Sequence, residues 1–556
     1  MLRRAGLLGA ASLIPSFTAC TPEPAGEGED ETGGAGETGE TGETGDESDG
    51  LPEYEWEGEP GPGSIFSHSV ASGDPLADSV ILWTRVSPAA DQPVELFFEV
   101  ALDPEFETRV AADWIPPTDE SRDYTVKIDV DGLEAGTTYY YRFYAQGRVS
   151  PTGRTRTAPS GAVEHLRFAV CSCASWAHGY FHAYAEIGGR DDLDAVIHLG
   201  DYIYEFGDGE YGDIRQYDPP HETLTLDDYR RRYRQYRSDP DLQEAHRQHP
   251  FIATWDDHEI ANDAWVDGAG NHDEDEGEWI DRRAAGTQAY FEWLPLREGE
   301  PGRVYRELPY GDLVDLIVLD TRYEGRGAQV ALTDPEMFEK IYAEDRQLLG
   351  EEQEAWLLER LSSSTARWKL IAQQVMVAQL ILSAQDGEPN RPLFTDPWDG
   401  FEAARRRLLG YIRDNDIRDV VVLTGDVHSS FANELTEDPL DGYDPATGEG
   451  SVAVEFVTPG VTSPGLSFDP GTLALLAPLN PHTRWLEVLR KGYMTIDLTP
   501  ERCQADFWLF SGAQVVSSSF GGSTYAASWQ VQSGAPVLVE ADGPAPGKAA
   551  APELAR

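Results

Sequence analysis

Lysine is almost absent from this chain. Only five of its 43 basic residues are lysine, against 99 acidic residues, and the formal charge of −56 opposes binding to nucleic acid or any other polyanion. An anionic substrate must then be held by local cations, which favours a bound metal over a basic patch. The same imbalance fits adaptation to salt or a GC-rich genome equally well. Cysteine is also scarce: four residues (Cys20, Cys171, Cys173, Cys503) make no dense disulfide framework. Cys171 and Cys173 stand two apart on an extended segment, too close for an unstrained bridge. No G-x-S-x-G elbow occurs, so a serine-hydrolase mechanism has no support. Beyond the N-terminus no apolar run is long enough to cross a bilayer.

What is present is 556 residues with 40% hydrophobic content, enough for two or three domains with sizeable cores. Residues 1–20, "MLRRAGLLGAASLIPSFTAC", have a basic start (Arg3, Arg4), a short apolar stretch and small residues before Cys20, the pattern of an export signal. The twin arginine suggests the Tat route, and "FTAC" suggests a lipoprotein box with Cys20 as the lipidated residue. A plain Sec signal with an incidental cysteine is the alternative. The expected location is exported: periplasmic, anchored at the cell surface as a lipoprotein, or secreted. Residues 21–62, with the repeat "GETGETGETGDESDG", hold too little apolar surface to repay ordering and read as a disordered acidic tether.

Residues 63–158 alternate apolar and polar positions with regular turn signals, which predicts a small all-β domain; "GLEAGTTYYYRF" suggests a fibronectin type III strand entry. Residues 164–520 alternate strands with helical segments such as "DDYRRRYRQYR", and residues 521–556 read as a partly disordered, frayed extension. Within the larger domain five apolar runs end in polar clusters: "CSCASW", "GDYIYE", "WDDHEIAND", "DTRYEGR" and "TGDVHSS". Ligand sites of α/β sheets gather beyond the carboxyl ends of strands, so this convergence predicts an active-site rim. Asp201 and Asp426 each follow a glycine after a buried run. Either alone reads as a capping residue. Together with His428 and with Asp257, His258, Glu259, Asn262 and Asp263, whose crowded carboxylates repel unless a cation offsets them, they point to metal.

The constellation resembles the binuclear metallophosphoesterases and, within them, the PhoD-like alkaline phosphatase family. "FSHSVASGDPLADSVILWTRV", "FAVCSCASW", "HLGDYIYEFG", "TWDDHEIANDAW", "VLDTRYEGR", "DPWDGFEAARRRL" and "TGDVHSSF" follow in that family's order from Phe66 to about Phe520. The resemblance implies an α/β fold: a metallophosphoesterase-type β-sandwich flanked by helices, preceded by the small fibronectin III-like domain. Against the wider superfamily, D-x-H becomes "CSC" with Cys173, GDxxD becomes GDxxY with Tyr204, GNHE becomes "DDHE" with Asp257 and His258, and GHxH becomes "GDVH" with Asp426 and His428. The lone histidine is missing; only His272, in an acidic loop, lies between His258 and His428.

Ligand softness sorts these residues into two sites. Cys173, Tyr204, His428 and a shared Asp201 suit ferric iron, with a tyrosinate charge-transfer colour as in the related purple acid phosphatases. Asp201, Asp257, Asp426 and Asn262 are all oxygen donors and favour calcium, with magnesium or manganese as alternatives. The implied mechanism is attack on phosphorus by a metal-bound hydroxide, with His258 donating near the transition state and Arg322 meeting a phosphate oxygen or, equally, serving as a structural ion pair. The expected function is an exported phosphoric mono- or diester hydrolase, active at neutral to alkaline pH, whose partner is a phosphate ester. Phospholipase D-type activity in the same site and a noncatalytic surface protein that binds phosphate are the alternatives.

Overall fold

A computed structural model describes residues 49–385, 387–548 and 552–555. The export signal, Cys20 and the tether up to residue 48 lie outside the described residues.

Three apolar runs become parallel strands, Leu166–Cys171, Ala195–His198 and Pro250–Ala253, at the centre of a ten-stranded sheet. Two others, Val314–Val318 and Val420–Thr424, flank Trp368–Gln373 in parallel within a seven-stranded sheet. Period-two alternation splits each strand's side chains between two cores. Leu166, Phe168 and Val170 pack with Leu316, Leu370, Leu423 and Phe456 between the sheets. Ala169 and Cys171 face the other way, into a layer with Tyr184, Tyr233 and Trp293 from helices His182–Gly188, Leu226–Tyr236 and Trp279–Trp293. On the far side Ile317, Ile371 and Val422 meet Leu357 and Leu409 of helices Gly350–Ser363 and Glu402–Asp414. The result is α/β, a helix–sheet–sheet–helix sandwich. Strands buried on both faces explain why their sequences read as unbroken apolar runs.

The N-terminal strands behave differently from a self-contained module. Val70–Gly73, Val80–Arg85 and Thr125–Val130 extend the ten-stranded sheet, joined through the parallel pairing of Ser72 with Pro250 and Gly73 with Phe251. A five-stranded all-β sheet built on Val94–Ala101, Arg109–Thr118 and Thr138–Ala145 closes over them, with Leu82, Leu96, Val100, Tyr141 and Phe143 between. One backbone ladder therefore runs from the N-terminal region into the strands that carry the site.

The C-terminal end also departs from expectation. Thr524–Gln532 and Ala535–Glu540, within the stretch read as frayed, form the two outermost strands of the ten-stranded sheet. Their apolar residues Ala527, Trp529, Val531 and Leu538 alternate and join the inter-sheet core, which composition rich in alanine and glycine concealed. No helix among the described residues is long and apolar enough to cross a membrane.

Candidate metal centre

The carboxyl ends of these strands meet along one edge of the sandwich. Asp201, Cys173, Asp426 and His428 all leave their strands in the left-handed region, with φ of 56°, 61°, 57° and 56°. Non-glycine residues adopt that region at a cost, and such strain concentrates where a side chain must be aimed. Gly200, at φ 100°, has a different reason to be glycine: a Cβ there would lie 2.5 Å from both the Asp256 Cβ and backbone nitrogen, so the "GD" and "DDHE" turns could not touch.

Glu259 stitches those two turns together. Buried completely, it accepts from the backbone N–H groups of Asp201 (3.1 Å), Tyr202 (2.6 Å) and Asp256 (2.8 Å). Burial, followed by the charge of Asp201, raises its carboxyl to about 8.

Around Asp201 two groups of potential ligands form. Cys173, Asp201 and His428 bring one donor atom each within 4.8 Å of one another, as do Asp201, Asp257 and His258. Tyr204 joins the first group: its hydroxyl donates to Asp201 Oδ2 at 2.8 Å and lies 3.2 Å from His428 Nε2. His428 Nδ1 is paired with the Pro464 carbonyl at 2.9 Å, which leaves Nε2 facing the group. In the second group, His258 Nδ1 donates to Glu205 at 2.7 Å, and Glu205 also accepts from Asn262 N and Asn271 Nδ2. That leaves His258 Nε2 as the nitrogen available to the cluster.

The electrostatics of these groups demand a cation. Burial and then the charge of Asp201 push the Cys173 thiol and the Tyr204 hydroxyl well above their usual ranges. Burial raises Asp257 to about 6 and holds Asp256 and Asp426 well above the carboxylate range. Burial opposes a charge on His258, but Glu205, Asp257 and Asp201 outweigh it and push the ring well above its usual range. Asp201 also keeps a fully buried oxygen, Oδ1, with no hydrogen-bond partner among the described residues. A buried carboxylate with one orphaned oxygen, common to both groups of potential ligands, suits the binding of metal here.

The remaining sequence-derived positions fall as follows. Asp257 and His258 sit in the second group, but Asp426 does not complete it: its Oδ1 accepts from Arg322 Nη2 at 2.9 Å. His258 lies within the same group as Asp201 and Asp257. Asn262 is placed through its backbone on Glu205, beside His258. His272 is remote, packed on Trp279 and Arg282. The Arg322 side chain is fully buried and its three nitrogens donate to Asp256 (2.5 Å), Asp396 (2.9 Å) and Asp426 (2.9 Å), the ion-pair arrangement that stood as the alternative to a phosphate contact. Cys173, unlike Cys171, lies past its strand; Cys171 is a buried core residue, and Cys171, Cys173 and Cys503 are all free thiols.

Sequence reasoning gave no role to Asp256, Arg326, Asp396 and Ser463. Asp256 precedes the "DHE" ligands and looks like one of them. Asp396 sits in "DPWDGF", far along the chain from Arg322, and carries no local signal.

Comparison with known proteins identifies the family. A family model described as PhoD-like phosphatase matches residues 168–507, and one described as PhoD-like phosphatase, N-terminal domain, matches residues 56–159. Alkaline phosphatase D of Bacillus subtilis (strain 168) is 38% identical over 469 residues, covering 80% of this chain and 77% of that protein. A solved structure of PhoD superposes with a TM-score of 0.77 at 34% identity, covering 89% of this chain and 94% of that one.

Proposed function

The chain belongs to the PhoD-like phosphatase family and is a phosphoric ester hydrolase, and on that premise we propose that it works through an iron–calcium centre to which Asp201 would contribute in both donor groups. The observation that carries this reading is the position of Asp201, common to both donor groups and with one oxygen unpaired. Cys173, Tyr204, His428 and Asp201 would hold ferric iron, the phenolate and thiolate matching a strongly Lewis-acidic ion. Asp201, Asp257, Asn262 and Asp426 would hold calcium, or magnesium or manganese in its place. Asp426, which accepts from Arg322 at 2.9 Å, would contribute its carboxylate to that site. The cations would supply Lewis acidity and activate water as the nucleophile.

The protein's own groups do the rest. His258, held by Glu205 through Nδ1, presents Nε2 to the cluster and donates its proton toward the leaving oxygen. Arg322 keeps Asp256, Asp396 and Asp426 in register rather than touching substrate. Glu259 fixes the backbone of the Asp201 and Asp256 turns. Export through the twin-arginine signal, with lipidation at Cys20, would place this site outside the cytoplasm.

Phospholipid headgroup cleavage is the second reading, and one feature favours it. An apolar cavity of about 360 Å³, lined by Leu380, Phe431, Leu466, Leu476 and Leu486, adjoins the loop whose Pro464 holds His428. It has room for an acyl chain. Parallel assays on p-nitrophenyl phosphate, its bis-ester and phosphatidylcholine test the choice. Turnover of the first two ranks the reading as proposed, and turnover of the lipid alone reverses it. Elemental analysis of the purified protein, paired with the visible spectrum of Tyr204→Phe, tests the metals. Loss of colour and of most activity is expected, and an unchanged spectrum would remove Tyr204 from the centre.

A further inference from the structure

The loop "GVTSPGL", residues 460–466, has no part in the chemistry above, yet it touches the cysteine, the tyrosine and the histidine of the first group. Val461 N–H donates to Ser172 O at 2.9 Å, and the N–H groups of Thr462 and Ser463 both reach Cys173 O, at 3.3 and 3.2 Å. Pro464 O pairs with His428 Nδ1. These are backbone contacts and would survive many substitutions. The Ser463 hydroxyl is different. Fully buried, it lies 2.6 Å from Tyr204 Oη and 2.9 Å from Cys173 O.

An inventory of donors around Tyr204 Oη singles this hydroxyl out. Asp201 Oδ2, at 2.8 Å, is an acceptor when ionised. His428 Nε2, at 3.2 Å, is also an acceptor, because the proton of the neutral ring sits on Nδ1 and is given to Pro464 O. The single Ser463 proton has two acceptors in reach, Tyr204 Oη at 2.6 Å and Cys173 O at 2.9 Å; Cys173 O already accepts from the Thr462 and Ser463 N–H groups, so among the described residues Ser463 is the remaining donor to Oη. We propose that Ser463 is the positioning residue for Tyr204 as a metal ligand: it holds the phenolate oxygen by a hydrogen bond and draws charge from it. This rests on the reading that Tyr204 binds iron. Binding of Tyr204 as a phenolate would release its proton to solvent and end its donation to Asp201 Oδ2, and Oη would still accept the Ser463 proton.

Two consequences separate this role from mere packing. A hydrogen bond to a phenolate lowers the energy of its donor orbital, so removing it moves the tyrosinate-to-iron absorption to longer wavelength. Partners that orient a ligand from behind are worth about 10–100-fold in metal affinity. The test compares the full-length wild type, Ser463→Ala, Ser463→Thr and Tyr204→Phe by visible spectrum, by iron titration, and by thermal unfolding of the metal-free protein. Ser463→Ala should shift the band to longer wavelength and weaken iron binding by about 10-fold or more. Ser463→Thr should restore both, and metal-free unfolding should change little. Should Ser463→Ala fail to fold, Ser463→Cys, a weaker donor of similar size, carries the same test with an intermediate shift. A wild-type band that the variant leaves in place, with iron affinity unchanged, would overturn the proposal alone. A wild type without a Tyr204-dependent band would sink the iron reading, and the proposal with it.

Discussion

The two halves of the centre share Asp201 and are otherwise built on opposite plans. Around Cys173, Tyr204 and His428 the supporting contacts come from uncharged groups: the Ser463 hydroxyl, the Pro464 carbonyl, and backbone N–H groups. The exception, Lys491, gives its ammonium to the His428 carbonyl, and burial lowers it to about 8. Around Asp257 and Asp426 the supports are ionic: Arg322 fans across Asp256, Asp396 and Asp426, and Arg326 adds a second contact to Asp396 at 2.5 Å. The first half is thus tuned by hydrogen bonds, which adjust how strongly each donor gives charge. The second is a balance of buried charges, in which one arginine holds three carboxylates together. A redox-capable, strongly Lewis-acidic ion suits the first arrangement, and an ion held mainly by carboxylate charge suits the second.

Four substitutions probe that contrast, in falling order of effect. Asp201→Asn removes the group common to both halves, and phosphate ester hydrolysis should fall to background in steady-state assays; substantial residual turnover would show that the halves work independently. Arg322→Ala leaves Asp256 buried without its partner, and should cost about 3–5 kcal/mol in denaturant unfolding of the metal-free protein. Arg322→Lys should not restore this, since an ammonium cannot reproduce the planar fork. Glu205→Gln frees the His258 ring, so kcat should drop about 10–100-fold while the visible spectrum, a property of the other half, stays as in the wild type. A shifted spectrum would mean that the halves are coupled through His258.

The smallest effect concerns Asp399, in the loop that brings Asp396 to Arg322. Burial, against the opposing charge of Arg405, raises its carboxyl to about 7. A carboxyl with a raised folded value binds its proton more tightly in the folded state, so its contribution is full below about pH 4. It is lost as pH rises through about 7. Asp399→Asn should therefore stabilise the protein at pH 8 relative to pH 4. The gain should be on the order of 1 kcal/mol, because the amide also gives up the attraction to Arg405. Unfolding curves at the two pH values check this, and an equal change at both would contradict it.

These contrasts also mark where the sequence could be read. Asp201, Asp257, His258 and His428 were legible because each follows an apolar run that has to be a buried strand, and polar clusters at several such ends converge where α/β sheets bind their ligands. The α/β layering was legible for the same reason. Arg322 was not: one arginine in "DTRYEGR" fits a phosphate or an ion pair equally, and its partner Asp396 lies 74 residues away. Ser463 was hidden by its setting, since "TSPG" reads as a turn whatever its hydroxyl does. The N-terminal strands looked self-contained because their alternation reveals a buried face but not a partner. The pairing of Ser72 with Pro250 is a fact of topology. At the other end, the small residues between 524 and 540 masked two edge strands whose buried positions alternate correctly.

The proposal that Asp201 serves both metal sites is tested most directly by metal content. Iron and calcium per chain should be measured by elemental analysis in wild type, Asp201→Asn and Tyr204→Phe, purified and loaded identically. Wild type should carry both metals, Tyr204→Phe should lose iron while keeping calcium, and Asp201→Asn should lose both together. Full retention of either metal in Asp201→Asn would contradict an Asp201 shared by the two sites.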